Sequence, residues 1–163
     1  MAGTGLVSGP VPAETVASEV RTHHERLARW LNGSDPEALT AFRASHTADF
    51  TLVSTAGEVV PGPRLLDGLA AAHGTRPTLR ITVHDVWTVH ATRDTVLVRF
   101  TERHEDDGRV DVRIVSALLC AVAPDDGAPD GSGAPDSSGA PDGSSVPTGT
   151  HRWKWRHVHE TAA

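Results

Sequence analysis

The sequence predicts an α+β domain, with helices gathered in its first half and a mainly antiparallel sheet after them. Apolar residues recur at helical spacing from Val16 through Val20, Leu27 and Trp30 to Leu31, the signature of one face of an α-helix. After Pro77 most of the chain is rich in β-branched residues and alternates in polarity, which is the period of a strand. Near the C-terminus Trp153, Trp155, His157 and His159 stand at alternate positions. A strand sends alternate side chains to one face. All four rings are therefore expected together, with Lys154, Arg156, Val158 and Glu160 on the other side.

The elements follow in order. Residues 1–12 are rich in Gly and Pro and read as a loose tail. The first helix carries His23 near its apolar face and should stop at Asn32-Gly33, a C-terminal signal. Asp35-Pro36-Glu37 restarts a helix at once, with Asp35 as cap and Pro36 in the first turn. Leu39 and Phe42 are its expected buried residues. Phe50, Leu52 and Val53 begin the first strand, and Ala56-Gly57 turns the chain into Glu58-Val59-Val60. Pro61-Gly62-Pro63 breaks the pattern. Leu65, Leu66, Leu69 and Ala72 then support a short helix ended by Gly74. Strands are expected over 79–92, 95–104 and 110–123, with a turn at Asp106-Asp107-Gly108.

Between the last two strands lies a segment of different composition. Residues 124–150 hold no Lys or Arg, and Val146 is their single large apolar side chain. Gly127-Ala128-Pro129-Asp130 recurs from Gly133 and again from Gly139. A repeat that offers only Ala and Pro to a core cannot offset the entropy of ordering, so disorder is expected. Lengthening a loop from about 4 to about 27 residues costs only about 1.7 kcal/mol by the logarithmic closure rule. The single domain is thus expected over 13–161, interrupted by this insertion.

The chain of 163 residues carries a formal charge of −6, most of it on Asp125, Asp126, Asp130, Asp136 and Asp142. The remainder is nearly neutral and has no basic run, which gives no footprint for nucleic acid. No apolar run approaches a membrane span, and the first residues lack the basic and apolar regions of a signal peptide. A cytoplasmic location is expected. Cys120 is the lone cysteine and sits in an apolar run, where it reads as a small buried hydrophobe.

Three segments carry a resemblance to a known family. Leu31-Asn32-Gly33-Ser34-Asp35 resembles the turn between the first two helices of the nuclear transport factor 2-like superfamily. The run from Asp49 to Gly62 resembles its first strand and turn. Trp153 to Thr161 resembles its closing strand, a Trp followed by a His-any-His pair and a small hydroxyl residue. The likeness is to the SnoaL-like and unknown-function branches, and the association domain of the calmodulin-dependent kinases ends similarly. The resemblance implies a cone-shaped fold, a curved sheet wrapped on N-terminal helices, with a pocket inside and a homodimer formed through the outer sheet face. Val115 to Ala123 agrees with two covered faces, since both alternating sets are mostly apolar.

Fold does not fix function. The family's steroid isomerases take one donor from a tyrosine, but this chain has none. The tyrosine position falls near Leu27 and that of the carboxylate base near Ser54, which makes steroid-isomerase chemistry a poor match. Other polar groups follow the apolar faces of strands. Asp85 follows Leu79, Ile81 and Val83, while Glu102 and His104 follow Val96, Val98 and Phe100. Each either enters the pocket or ends its strand in water. Burial in a pocket raises a carboxylate pKa towards neutrality.

Asp85, Glu102 and His159 are the candidate catalytic residues. Trp30, Trp87, His104, Arg113, Trp155 and His157 are the candidate ligand contacts. Arg113 suits either a bidentate carboxylate contact or an ion pair on the surface. His157 and His159 would need a third ligand to hold a metal, and no metal or cofactor is expected. His23, His24 and His46 read as solvated or capping residues. Three functions stay open: a small-molecule-binding or accessory protein, an acid-base enzyme of the cyclase, isomerase or dehydratase kind, and an assembly module without ligand.

Overall fold

A computed structural model describes residues 11–122 and 152–163. The expected disordered insertion lies outside the described residues, as does the expected tail except for residues 11 and 12. Those two are held: Val11 packs on the core, and the Pro12 carbonyl accepts a hydrogen bond from Thr15 N at 3.0 Å.

Helix α1 (Ala13–Leu31) buries Val16, Ala17, Val20, His23, His24, Ala28 and Leu31, one stripe at three- and four-residue spacing. It ends at Asn32, whose N–H reaches back to Ala28 O at 2.9 Å. Gly33 follows at φ +78°, and a Cβ there would stand 3.1 Å from the Cα of Gly74. Only glycine fits that left-handed turn against another backbone. Gly74 N and Arg76 N then donate to the carbonyls of Trp30 and Leu31, at 3.2 and 3.0 Å. Helix α2 (Ala38–Ala44) begins after the Asp35 side chain has accepted from Glu37 N at 3.0 Å. It buries Ala38 and Phe42, while Leu39 is only half-buried.

Strands β1 (His46–Val53) and β2 (Val59–Pro61) lead into helix α3 (Gly62–Ala70). The three long strands β3 (Arg80–Ala91), β4 (Thr95–Asp106) and β5 (Arg109–Val122) are joined as antiparallel neighbours, and β6 (Arg152–Ala162) closes the chain. The six-stranded sheet has the order β2-β1-β6-β5-β4-β3. Every pairing is antiparallel except that of β1 with β6. The sheet is therefore mixed, and its concave face packs on α1.

The core fills this concave face. Val96, Val98 and Phe100 of β4 lie beside Leu119, Ala117 and Val115 of β5, and all are buried with Trp155 and Val158 of β6 and Val16 and Val20 of α1. A second cluster joins Ala28 and Leu31 to Leu79 and Ile81, with Trp30 packed against it. Among the described residues no helix is long and apolar enough to cross a membrane.

The closing strand departs from the expected alternation. Leu119 pairs with Trp155 and Leu118 with His157, which leaves Arg156 as an extra residue. A bulge of this kind reverses the facing of everything beyond it. Trp153 and Trp155 point into the core, but after Arg156 the inward residues are Val158 and Glu160, beside Ala117 and Val115. His157 and His159 turn to the outer face. The expectation of four rings on one face is thus corrected. Arg156 itself pairs with Asp49 at 2.9 Å.

Candidate functional site

The alternation of β4 continues past its apolar part. After Val96, Val98 and Phe100 the same face presents Glu102 and His104, which are 3% and 7% exposed. They are buried side chains on a cavity wall. Glu102 pairs across the sheet with Arg113, and Arg113 lies diagonal to Glu160 on β6. Helix α1 lays His23 and His24 over this end of the sheet. The cavity between them has a volume of about 210 Å³. Leu27, Leu31, Leu52, Leu65, Leu69 and Val158 supply most of its apolar wall.

Glu102 is held at both oxygens. Nε2 of His24 contacts Oε1, and Nε2 of His104 lies 3.1 Å from Oε2. Nδ1 of His24 donates to Val20 O at 2.7 Å. Burial by itself disfavours charge on both partners. The two histidines outweigh it for Glu102, whose carboxyl is held well below the usual range. The Glu102 charge and hydrogen bond likewise outweigh burial for His24, whose pKa is raised. The pair is therefore a carboxylate and an imidazolium, each depending on the other.

Arg113 donates to Asp111 from Nε at 2.8 Å and to Glu160 from Nη1 at 3.1 Å. Burial, then the nearby Glu102 charge, pushes the Glu160 carboxyl up despite Arg113. On the far wall His23 stacks between Trp155, at 4.0 Å between centroids, and Phe42, at 4.4 Å. Burial holds its pKa well below the ordinary value, helped by the neighbouring His24 and His46. His46 donates from Nδ1 to Phe42 O at 2.8 Å, and burial lowers its pKa to about 4. Both rings are neutral at physiological pH.

Among the described residues, two buried side-chain atoms have no hydrogen-bond partner: Nε2 of His46 and Nδ1 of His104. Both residues line the cavity. No described group of three or more His, Cys, Asp or Glu side chains is placed to hold a metal ion.

The sequence-derived candidates separate in space. Glu102, His104, Arg113 and Trp155 line the cavity together. Trp30 lies outside it, donating from Nε1 to Leu69 O at 2.6 Å and packing on His73. Asp85 is exposed at φ +52°, where the pairing of β3 with β4 slips between His84 and Trp87. That irregularity takes Asp85 off the inward row that Ile81 and Val83 begin. Trp87 is 64% exposed. His157 bonds to the Thr51 hydroxyl at 2.8 Å on the outer face, and His159 is exposed there.

His23, His24, His46 and Glu160 line the cavity although the sequence reading did not place them there. All three histidines are buried rather than solvated; His46 still caps the last turn of α2 through its bond to Phe42 O, whereas His23 and His24 lie mid-helix and cap nothing. A signal for His23 and His24 existed in their position between Val20 and Leu27 on the apolar stripe. Glu160 had none, because the bulge at Arg156 is not written in the residue pattern.

No protein-family model and no curated protein sequence matches the chain. Solved structures do. An NTF-2 like protein of unknown function from Pseudomonas aeruginosa is 23% identical, with a TM-score of 0.69 over 93% of this chain and 99% of that one. The CaMKII hub of S. rosetta matches at 16% identity and a TM-score of 0.57, covering 93% and 97% of the two chains. Aln2 from a Streptomyces species gives 16% and 0.57, covering 93% of each. Strand order, helix placement and these likenesses over nearly the whole chain agree that the chain has the α+β cone fold seen in nuclear transport factor 2-like proteins.

Proposed function

We propose that the protein binds a small organic molecule inside its cone. The observation that carries this reading is the cavity of about 210 Å³, apolar along most of its wall, on which Glu102, His104, Arg113 and Glu160 converge. A largely apolar concavity with a few convergent polar groups is the usual form of a ligand site. A side-chain core without such a role has little reason to hold a buried carboxylate between two imidazoles. Thermal-shift screening of small aromatic and alicyclic compounds tests it, with Leu69→Trp as the cavity-narrowing control. Stabilisation of the wild type that the variant loses is the expected result. The absence of stabilisation by any compound sinks the reading.

A second reading, an acid-base enzyme, is favoured by the Glu102–His104 contact. A carboxylate that fixes one imidazole nitrogen leaves the other as a base. Here the free atom is Nδ1 of His104, and Glu160, with its raised pKa, is the acid within the same cavity. Asp85 and His159 stand too far out on the surface to share this work. A third reading concerns assembly. The outer face of the sheet exposes Trp87 and Ile114, and Leu97 pairs with Leu118 beside them. This is the surface we assign to a homodimer, in keeping with the hub structure among the fold's relatives.

A further inference from the structure

We propose, building on the ligand reading of the cavity, that the cone selects a neutral single-ring molecule carrying a hydroxyl or N–H donor, such as a phenol, and discriminates against carboxylates. Three observations lead there.

The first is size. A cavity of about 150 Å³ accommodates benzene, and sites for drug-sized ligands run from about 300 Å³ upward. The volume of about 210 Å³ therefore suits one ring with a small substituent. A multi-ring ligand would require the helices to move.

The second is hydrogen-bond polarity. Glu102 is a carboxylate and can only accept, so Nε2 of His104 carries the proton that bridges them at 3.1 Å. Of the two ring nitrogens, Nδ1 is then the one left to carry the lone pair. In the same way His46 spends its Nδ1–H on Phe42 O, so its Nε2 is a lone pair. Both atoms are buried, both belong to residues that line the cavity, and neither has a partner among the described residues. A buried acceptor without a partner is costly. A ligand O–H or N–H meets that need, and a carboxylate, being an acceptor only, does not.

The third is charge. Each cation on the wall already faces a carboxylate: Arg76 meets Asp106 at 2.8 Å, Arg113 meets Asp111 and Glu160, and His24 meets Glu102. An entering carboxylate would be a further anion beside Glu102, with its desolvation uncompensated. Arg113 is thus occupied in structure and is a poor anchor for an acid ligand.

The test compares 4-fluorophenol, fluorobenzene and 4-fluorobenzoate by fluorine NMR titration of the full chain at neutral pH. Long-range proton–nitrogen spectra of the histidine rings are recorded alongside. The phenol should bind at least about tenfold tighter than the other two, which is within the range one regained buried hydrogen bond supplies. It should also shift the ring-nitrogen resonance of His104 Nδ1 or His46 Nε2. His104→Phe and His46→Phe, read separately, should between them abolish the preference over fluorobenzene. If fluorobenzene equals the phenol, or both variants keep the preference, the donor assignment falls while the cavity reading stands. Tighter binding of the benzoate overturns the proposed selectivity in the same way. If no probe binds, the cavity reading falls and this inference falls with it. The ring-nitrogen shift is measured on the wild type, so a variant that fails to fold leaves the test decisive.

Discussion

Buried neutral His46 should make the fold acid-labile well above the range in which carboxylates titrate. Its ring is 8% exposed, packed on Phe42 and Phe50 at 4.6 and 4.4 Å. Burial sets its folded pKa at about 4, against 6.5 for the ordinary side chain. As pH falls, the unfolded chain takes up the proton first. The stability associated with the neutral ring is whole above pH 6.5 and is lost progressively down to about 4. At about 1.4 kcal/mol per unit, the loss is about 3 kcal/mol, a large share of the 5–15 kcal/mol of an ordinary domain. His23, whose pKa is lowered the same way, adds to it. Glu160 acts oppositely, because its raised pKa makes the folded state bind its proton first.

The perturbation is His46→Asn. Its amide N–H can replace the ring Nδ1–H at Phe42 O, and it does not titrate. Urea unfolding across pH 6.5 to 4 is the assay. The variant is less stable at neutral pH, by about 1–2 kcal/mol for the lost ring packing. Its decline on acidification should be shallower than that of the wild type by about 3 kcal/mol over the interval. Equal slopes in the two proteins would overturn this account, because His46 would then titrate alike folded and unfolded.

Two further outcomes are expected. Trp155 is fully buried, stacked on His23, and donates from Nε1 to Glu19 at 3.2 Å. Trp155→Ala should cost about 3–5 kcal/mol in chemical denaturation, and a neutral result would mean that β6 is misplaced. Glu102→Gln removes the charge that holds the proton on His24, leaving burial to act alone. The His24 titration, followed by NMR, should fall below 6.5, with a stability loss of about 3 kcal/mol. An unchanged His24 titration would show that the pair is not coupled.

Much of the scaffold was legible because it rests on local rules. The stripe from Val16 to Leu31, the glycine at position 33 and the alternation of β4 and β5 each follow from backbone geometry acting over a few residues. The site was legible only where such a rule ran on undisturbed. Glu102 and His104 were found because β4 keeps its period through them. Asp85 and the His157–His159 pair were misjudged because β3 and β6 each slip register just before them. The buried histidines were misjudged for another reason. His23 and His24 are polar by composition, and only the arrival of Glu102, Phe42 and Trp155 around α1 makes their burial tolerable.

Element order, the α+β class and the apolar faces were all written in the residue pattern, since these depend on periodicity and turn chemistry near each residue. Which polar groups meet was settled by the tertiary packing. A single extra residue at Arg156 exchanges His157 and His159 for Val158 and Glu160 on the concave face. The pairing that forces it out of register lies in β5, on a chain segment far away in sequence. The cavity, its coupled charges and the two imidazole nitrogens without a partner among the described residues are products of that non-local packing.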